Sequence, residues 1–577
     1  MKRRRPTKQP DQSIEPIVDP PQEVSRKQPS HNGAQQRGAG VARSAGIVSL
    51  AVMASRVMGL AREMVFAYFF GASKSYATDA FVMAFRIPNL LRDLFAEGAL
   101  SSAFVPVFSE YLVKRDEKEA FRLSNLVTTT LTLVLGTIVV LGIIFAPQIV
   151  NLFASGFKDT PGKFELTVYM TRVMMPFILL VALAAQSMGI LNARGRFGIP
   201  ALSSSFFNIG SIIGGIIFAA LLTDPTFAHP LAAVKENPRE GIIGMAYGVL
   251  IGGFMQYAVQ WPSLRRAGFR YRPMIDFNDP GLRRIFKMMG PAVIGTAAVQ
   301  VNILVNSNFA ASIPGNGPVA WLQYAFRLMQ FPIGVFGVAI ATATLPTISK
   351  SAALKEMGEY KETLAGSIRL AFLLTIPSAV GLIVLGRPII AMIYQRGDFT
   401  PFDTQHTAGA LAFYAVGLVG YSAIKILAPA FFALGDSRTP MLISLAMILI
   451  NFFMNWAMVG IFQERGLALS TSTVALLNSA LLYAIMSRRV GGIEGRRTAA
   501  TVGKIVLAST GMGAVCWAAS YAQTRALGDG QVARAINVFA SVAVGAVVFY
   551  LVARALGVKE LAGIAAIVNR FTRRMRG

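Results

Sequence analysis

Runs of about 20 or more predominantly apolar residues recur from Gly46 almost to the C-terminus with only short breaks, and each can cross a hydrocarbon core about 30 Å thick. A chain patterned in this way buries its backbone polar groups in helices, so it reads as an all-α polytopic membrane protein. The spacing predicts about fourteen spans, near residues 46–70, 76–112, 122–153, 164–191, 199–222, 240–264, 282–312, 317–348, 362–394, 405–434, 439–461, 465–487, 500–522 and 532–556. Composition agrees: 54% of the 577 residues are hydrophobic and 15% charged, with a mean hydropathy of +0.53, a balance soluble domains rarely approach.

The formal charge of +26 would suggest nucleic acid in a soluble chain. Here most Lys and Arg fall in short loops between apolar runs, where they set orientation, and no nucleic-acid partner is expected. Cys516 stands alone in an apolar run and His31, His229 and His406 are scattered, which argues against a disulfide or a metal site. No G-x-x-x-x-G-K-[ST] loop and no nucleotide-binding domain is present, so the chain reads as neither an ATPase nor another enzyme, and no cofactor is expected.

Residues 1–45 are rich in Pro, Gln, Arg and Ser and read as a disordered cytoplasmic tail. Lys2-Arg3-Arg4-Arg5 begins like a signal peptide, but no apolar segment or cleavage site follows at the required distance. Basic clusters at Lys114/Arg115/Lys118, Arg194/Arg196, Arg265/Arg266/Arg270/Arg272, Lys350/Lys355/Lys361, Arg488/Arg489/Arg496/Arg497 and Arg570/Arg573/Arg574/Arg576 all fall on one side of the predicted topology, which places both termini in the cytoplasm. An internal repeat is visible at a shift of 240 residues: Ala193, Gly195 and Pro200 match Ala433, Gly435 and Pro440, and Ala103, Pro106 and Ser109 match Ala343, Pro346 and Ser349. With one residue of slip, Ala84-Phe85-Arg86 overlays Ala325-Phe326-Arg327. Six spans separate the copies, so the halves share an orientation and should be related by a pseudo-two-fold axis along the membrane normal. The expected organisation is an N-lobe of six spans over 46–280, a C-lobe of six over 281–490, two further spans over 491–558 and a basic cytoplasmic tail over 559–577.

Five arginines, Arg56, Arg62, Arg86, Arg92 and Arg327, lie inside these spans, where an uncompensated cation costs several kcal/mol. Arg56 and Arg62 are six residues apart, about 9 Å along a helix and about 120° around it, and Gly59 between them permits a bend. In the second span Asp79 enters early, then Arg86-Ile87-Pro88-Asn89 and Arg92-Asp93 follow, with Pro88 allowing a kink. Arg62 has Glu63 beside it and Arg92 has Asp93, so internal pairing is an alternative there; Arg56 and Arg327 have no obvious local acid. Guanidinium forks suit phosphate, and the functional reading is a phosphate or pyrophosphate clamp facing a cavity between the lobes. Asn451 and Asn455, at i and i+4, offer carbonyls to an ion such as sodium, with interhelical hydrogen bonding the blander role. Lys425 is a further charge within a span and receives no role.

The segments Ser55-Arg56-Val57-Met58-Gly59-Leu60-Ala61-Arg62, Gly71-Ala72 with Ala77-Thr78-Asp79-Ala80-Phe81, Pro88-Asn89-Leu90-Leu91-Arg92 with Phe95-Ala96-Glu97-Gly98, and Ala103-Phe104-Val105-Pro106 resemble the MurJ/MviN lipid II flippases. The resemblance runs from about residue 46 to the end. It implies the fold of the multidrug/oligosaccharidyl-lipid/polysaccharide exporters, with two six-helix lobes plus two C-terminal helices. It also implies translocation of undecaprenyl-pyrophosphate-linked disaccharide-pentapeptide across the bacterial inner membrane. Arg56, Arg62, Arg92 and Arg327 would then be cavity arginines, and Ser55, Asp79 and Glu97 accessory polar residues. The pattern departs from the family at Phe326 and Gln330, where many members are acidic, so an ion pair or sodium site through those positions does not carry over.

The expected partners are lipid II, membrane lipids, a coupling sodium ion or proton and cell-wall synthesis proteins. The competing readings are a cation-coupled multidrug antiporter, which would want more cavity carboxylates, another lipid-linked oligosaccharide flippase, and a non-transporting envelope scaffold, which would tolerate loss of the arginines.

Overall fold

The computed structural model describes residues 31–94 and 100–561, which are almost entirely helical and include no strand among the described residues. The first lobe runs through α1 (His31–Phe70), α2 (Ala77–Arg92), α3 (Ser101–Lys114), α4 (Glu117–Ile144), α5 (Ala146–Phe153), α6 (Lys163–Met174), α7 (Phe177–Ala193), α8 (Gly198–Thr223), α9 (Pro230–Glu236), α10 (Pro238–Ala258) and α11 (Trp261–Arg266). The second comprises α12 (Pro280–Ala311), α13 (Pro318–Pro332), α14 (Val338–Ala353), α15 (Met357–Ile393), α16 (Pro401–Ala433) and α17 (Arg438–Val490), and the hairpin of α18 (Gly495–Leu527) and α19 (Gln531–Ala555) packs on α15. A π-helical turn, Ile333–Gly337, joins α13 to α14 just after Pro332.

Among the described residues, ten helical segments are long and apolar enough to span a bilayer. One of them, α17, breaks at Gln463 (φ 51°, ψ −128°) and returns, so it supplies two of the predicted spans. The remaining three predicted spans are α1, the α2–α3 pair and α12. Polar and charged residues lower the hydropathy of α1 and α12, and the segment between α2 and α3 includes residues outside those described. The fourteen predicted segments therefore all correspond to helix among the described residues.

Two boundaries differ from the sequence reading. Helix α1 starts at His31, within the predicted tail, because no proline follows Pro29 until Pro88 and the segment carries helix-favouring Ala, Gln and Arg. At the other end Glu560 is bonded to Arg369 Nε at 2.8 Å, so the folded body includes the first residues assigned to the basic tail. The rest of both predicted tails, residues 1–30 and 562–577, lies outside the described residues.

The 240-residue repeat is written in the backbone. Gly195 (φ 73°) and Gly435 (φ 75°) are both left-handed, a conformation glycine adopts without a Cβ clash. At each, the next residue's amide reaches back five positions, Arg196 N to Leu191 O at 2.9 Å and Asp436 N to Phe431 O at 3.0 Å. Pro200 and Pro440 then occupy the third position of α8 and α17. Packing repeats too: α1 lies on α8 as α12 lies on α17, α2 on α6 as α13 on α16, and α3 on α4 as α14 on α15.

Within the first lobe, α8 and α10 approach so closely that a methyl on Gly248 would meet the backbone of Gly215, the small-residue packing expected where lipid supplies no hydrophobic drive between helices. Large apolar side chains such as Leu442, Leu449, Phe453 and Trp456 on α17 are exposed, the pattern of a lipid-facing surface.

Candidate functional site

The two lobes are joined at one end of the bundle by a buried polar clasp. Asp79, fully buried near the start of α2, accepts Gly317 N at 2.8 Å and Ala320 N at 2.9 Å from the N-terminus of α13, where unsatisfied amides favour an anion. Its Oδ2 also accepts Lys163 Nζ at 2.9 Å, and Lys163 donates to Gly315 O at 3.2 Å. Beside this, Asp403 Oδ1 accepts Ser73 N at 3.0 Å from the first lobe and Trp321 Nε1 at 2.9 Å from the second. Asp398 bridges the same seam through its amide to Tyr68 O at 3.0 Å and its carboxylate to Lys74 at 2.9 Å.

Further along α1, α2 and α13 comes the arginine layer. Arg86 donates across the seam to Ser307 Oγ at 2.8 Å and Gln323 Oε1 at 3.1 Å. Arg327 Nε donates to Glu63 Oε1 at 2.7 Å, and Glu63 Oε2 accepts the Tyr394 hydroxyl at 3.2 Å. Arg62 does not pair with its neighbour Glu63: its Cζ lies 5.6 Å from the Phe85 ring centroid and 5.2 Å from that of Phe207. The cations acting electrostatically on Arg62 are Arg327 and Arg92, which places the three in one cluster. Arg92 is bonded to Asp93 at 2.8 Å. Arg56 is exposed between the lobes with no acid partner among the described residues, and its guanidinium lies against Gly334 of the π-helical turn, where a methyl group would collide with it.

Helical rise puts this layer at mid-depth. Arg56 is fourteen residues from Phe70 at the clasped end of α1 and Arg92 thirteen beyond Asp79, about 20 Å in each case. A guanidinium stacked on aromatic rings keeps its in-plane donors, so Arg62 can present N–H groups to an oxyanion, and Arg56 can do so because it is exposed.

Of the residues singled out from sequence, Arg62, Arg92 and Arg327 are brought together, and Arg56 lies further along α1 against the α13–α14 turn. Arg86 lies closer to the clasp and spends its donors on the other lobe. The Ser55 carbonyl accepts Asn208 Nδ2 at 3.3 Å, which anchors α1 to α8. Asp79 departs from the expectation of an accessory substrate contact, because its oxygens are buried and engaged by Lys163 and the α13 amides about 20 Å from Arg92. Glu97 lies outside the described residues. Asn451 and Asn455 are buried in the second lobe, in a chain in which Asn455 Nδ2 donates to Asn306 Oδ1 at 2.6 Å and to Asn451 Oδ1 at 3.2 Å, and Asn451 Nδ2 reaches Ser470 Oγ at 3.4 Å. These bonds tie α12 to both halves of α17, and Asn455 Oδ1 is buried without a donor. Lys425 is exposed on α16. Sequence reasoning counted Arg327 as lacking a local acid; its partner Glu63 is local only in space. The available signal was that Glu63 is the only acid in the predicted first span.

Two helical lobes with a basic layer at mid-depth and a polar clasp at one end define a membrane transporter of the alternating-lobe type. The family described as "Lipid II flippase MurJ" matches residues 66–532, and the chain belongs to it. It is 36% identical over 446 residues to the "Lipid II flippase MurJ" of Burkholderia cenocepacia, covering 77% of this chain and 83% of that one. It is 34% identical to the "Probable lipid II flippase MurJ" of Vibrio cholerae, with 82% and 88% covered. Among solved structures it resembles "Lipid II flippase MurJ, inward closed conformation" with a TM-score of 0.70 at 27% identity, covering 88% of this chain and 97% of that one. An inward-facing MATE family multidrug resistance transporter of the MOP superfamily shares the fold with a TM-score of 0.60 at 15% identity.

Proposed function

We propose that this protein is a lipid II flippase that moves undecaprenyl-pyrophosphate-linked peptidoglycan precursor from the cytoplasmic to the periplasmic leaflet of the bacterial inner membrane. The observation that carries the reading is the mid-depth cluster of Arg62, Arg92 and Arg327, with Arg56 exposed further along α1 and without an acid partner among the described residues, in a chain of this family. The arginines meet the pyrophosphate and the polyprenyl chain stays in lipid. A multidrug antiporter of the same fold is disfavoured, because a cluster of guanidinium groups repels a cationic drug.

The basic turns between α3 and α4, α7 and α8, α14 and α15, and α17 and α18 lie at the ends of their helices away from the clasp, so by the positive-inside rule the clasp is periplasmic and both termini are cytoplasmic. In this state the cavity takes its cargo from the cytoplasmic side. Transport then requires the clasp and the Glu63–Arg327 and Arg86 contacts to part while the opposite ends of the lobes close. Exporting a dianionic head group from a negative interior gains up to about 5 kcal/mol at 100 mV, less whatever opposing charge the arginines carry through the field. Hydrolysis is not needed. If an ion is coupled, the buried amide chain through Asn451 and Asn455 is the place where a sodium ion would find a carbonyl oxygen without a donor.

Depletion in cells tests the reading: lipid II should accumulate in the cytoplasmic leaflet, and wild-type protein but not the Arg56→Ala variant should clear it. Accumulation of a different lipid-linked precursor would redirect the substrate assignment.

A further inference from the structure

His406 on α16 sits where no part of the transport reading uses it. Its Nδ1 lies 2.8 Å from Glu464 Oε1, just after the backbone break at Gln463 in α17. Glu464 is 2% exposed, and its second oxygen is buried without a hydrogen-bond donor. Both residues line a cavity of about 190 Å³ together with Ile461, Phe462, Gln463 and Arg465. A buried carboxylate with one oxygen unsatisfied beside an imidazole can be satisfied by a proton shared with the ring. The break itself is strained, since Gln463 holds a positive φ that a side chain disfavours.

The imidazole also stacks on Trp321, centroids 4.3 Å apart and planes 22° from parallel. On α13, Trp321 lies against Gly317, where a Cβ would collide with the indole, and Gly317 N is one of the amides held by Asp79 of the other lobe. The indole N–H goes to Asp403, whose same oxygen accepts Ser73 N from the other lobe. Trp321 therefore touches both halves of the clasp and His406 at once.

We propose that His406 and Glu464 form a proton-binding site at the clasped end, and that Trp321 transmits its charge state to the seam, with protonation holding the lobes together. An imidazolium over the indole face adds cation–π attraction to the stack, fixing the indole against Gly317 and toward Asp403. Loss of the proton removes that attraction and loosens both contacts with the first lobe. The charged and titratable groups around the ring are Glu464 and Arg465 from α17, the latter with Nε 3.8 Å from Glu464 Oε1, and Asp403 one turn back on α16. Trp321 is the α13 side chain on the ring, and Phe402 of α16 packs on it as well, with centroids 4.3 Å apart. The α15–α16 turn places Gln395 on Thr404 and Asp398 on Lys74.

The test reads Trp321 directly and needs no cargo, so its outcome is independent of the flippase reading. Trp261, Trp456 and Trp517 are exposed and are replaced by Phe, leaving Trp321 as the single tryptophan of the full chain in nanodiscs. Protonated imidazole quenches a stacked indole, so emission should fall about twofold between pH 8 and pH 5, through the range in which histidine titrates. His406→Gln should abolish the transition, and Glu464→Gln should move its midpoint toward acid. In a second arm, spin labels at exposed positions 159 and 405, in a Cys516→Ala background, report lobe separation. The separated population should be at least about threefold larger at pH 8 than at pH 5.5, and His406→Gln should remove that difference. A Trp321 signal that ignores pH, or titrates unchanged in His406→Gln, overturns the site. A lobe distance that ignores pH while Trp321 titrates overturns the transmission.

Discussion

Arg327 of α13 donates its Nε–H to Glu63 of α1 at 2.7 Å across the seam between the lobes, and the Tyr394 hydroxyl holds the other carboxylate oxygen. The two charges come from different repeats, so the pair exists in the clasped arrangement and is broken when the lobes part at this end. Glu63 is nearly buried while the Arg327 side chain is 42% exposed, which places the pair between the surface and buried cases, about 1 to 3 kcal/mol. Glu63→Gln should therefore shift the equilibrium toward the separated state by roughly 5- to 150-fold. Cysteine accessibility or interlobe distance measurements check this, and a population unchanged by the substitution would remove the pair from the gating account.

The Asp79–Lys163 clasp should behave differently, because both partners are buried. Asp79→Asn leaves the Lys163 ammonium uncompensated and takes one acceptor from the α13 amides, a loss of about 3 to 5 kcal/mol. Thermal unfolding in detergent should show a marked fall in Tm, partly recovered in the Asp79→Asn/Lys163→Met double variant. If Asp79→Asn lost transport with no loss of stability, Asp79 would return to the role of a substrate contact.

Arg56 has no acid partner among the described residues, so Arg56→Ala should insert and fold normally yet reduce flipping by at least about tenfold. Arg56→Lys should recover little, since it keeps the charge but loses the fork. Normal export by both variants would contradict the clamp. Phe207→Ala should be milder, because it removes one face of the aromatic packing around Arg62 and leaves the charge in place.

Much of this architecture was legible because apolar run length and loop charge are local signals. The repeat was legible for a related reason: Gly195 and Gly435 are each fixed by a left-handed backbone that their own neighbourhood imposes. The arginine layer was visible as charge within apolar runs, and its partners were not. Glu63 and Arg327 are 264 positions apart, and nothing in the spacing distinguishes that pair from Glu63 with Arg62. The partners of Asp79 were not legible for the same reason, since they are Lys163, 84 positions away, and backbone amides at the start of α13, which carry no sequence signature. The start of α1 was not legible because the segment before residue 46 is polar, the composition of a disordered tail, while its helix propensity is sufficient for helix from His31.

The most direct test of the central claim, an anion path through the arginine layer, is flipping of labelled lipid II by purified protein in sealed vesicles under an imposed potential. With the protein oriented as in cells and no ATP present, an inside-negative potential should speed outward movement of the head group, and Arg56→Ala should lose most of that gain. A rate that follows a sodium or proton gradient and ignores potential would replace electrophoretic export with ion coupling and make Asn451 and Asn455 the next residues to change. Movement that appears only when ATP is added would contradict the account.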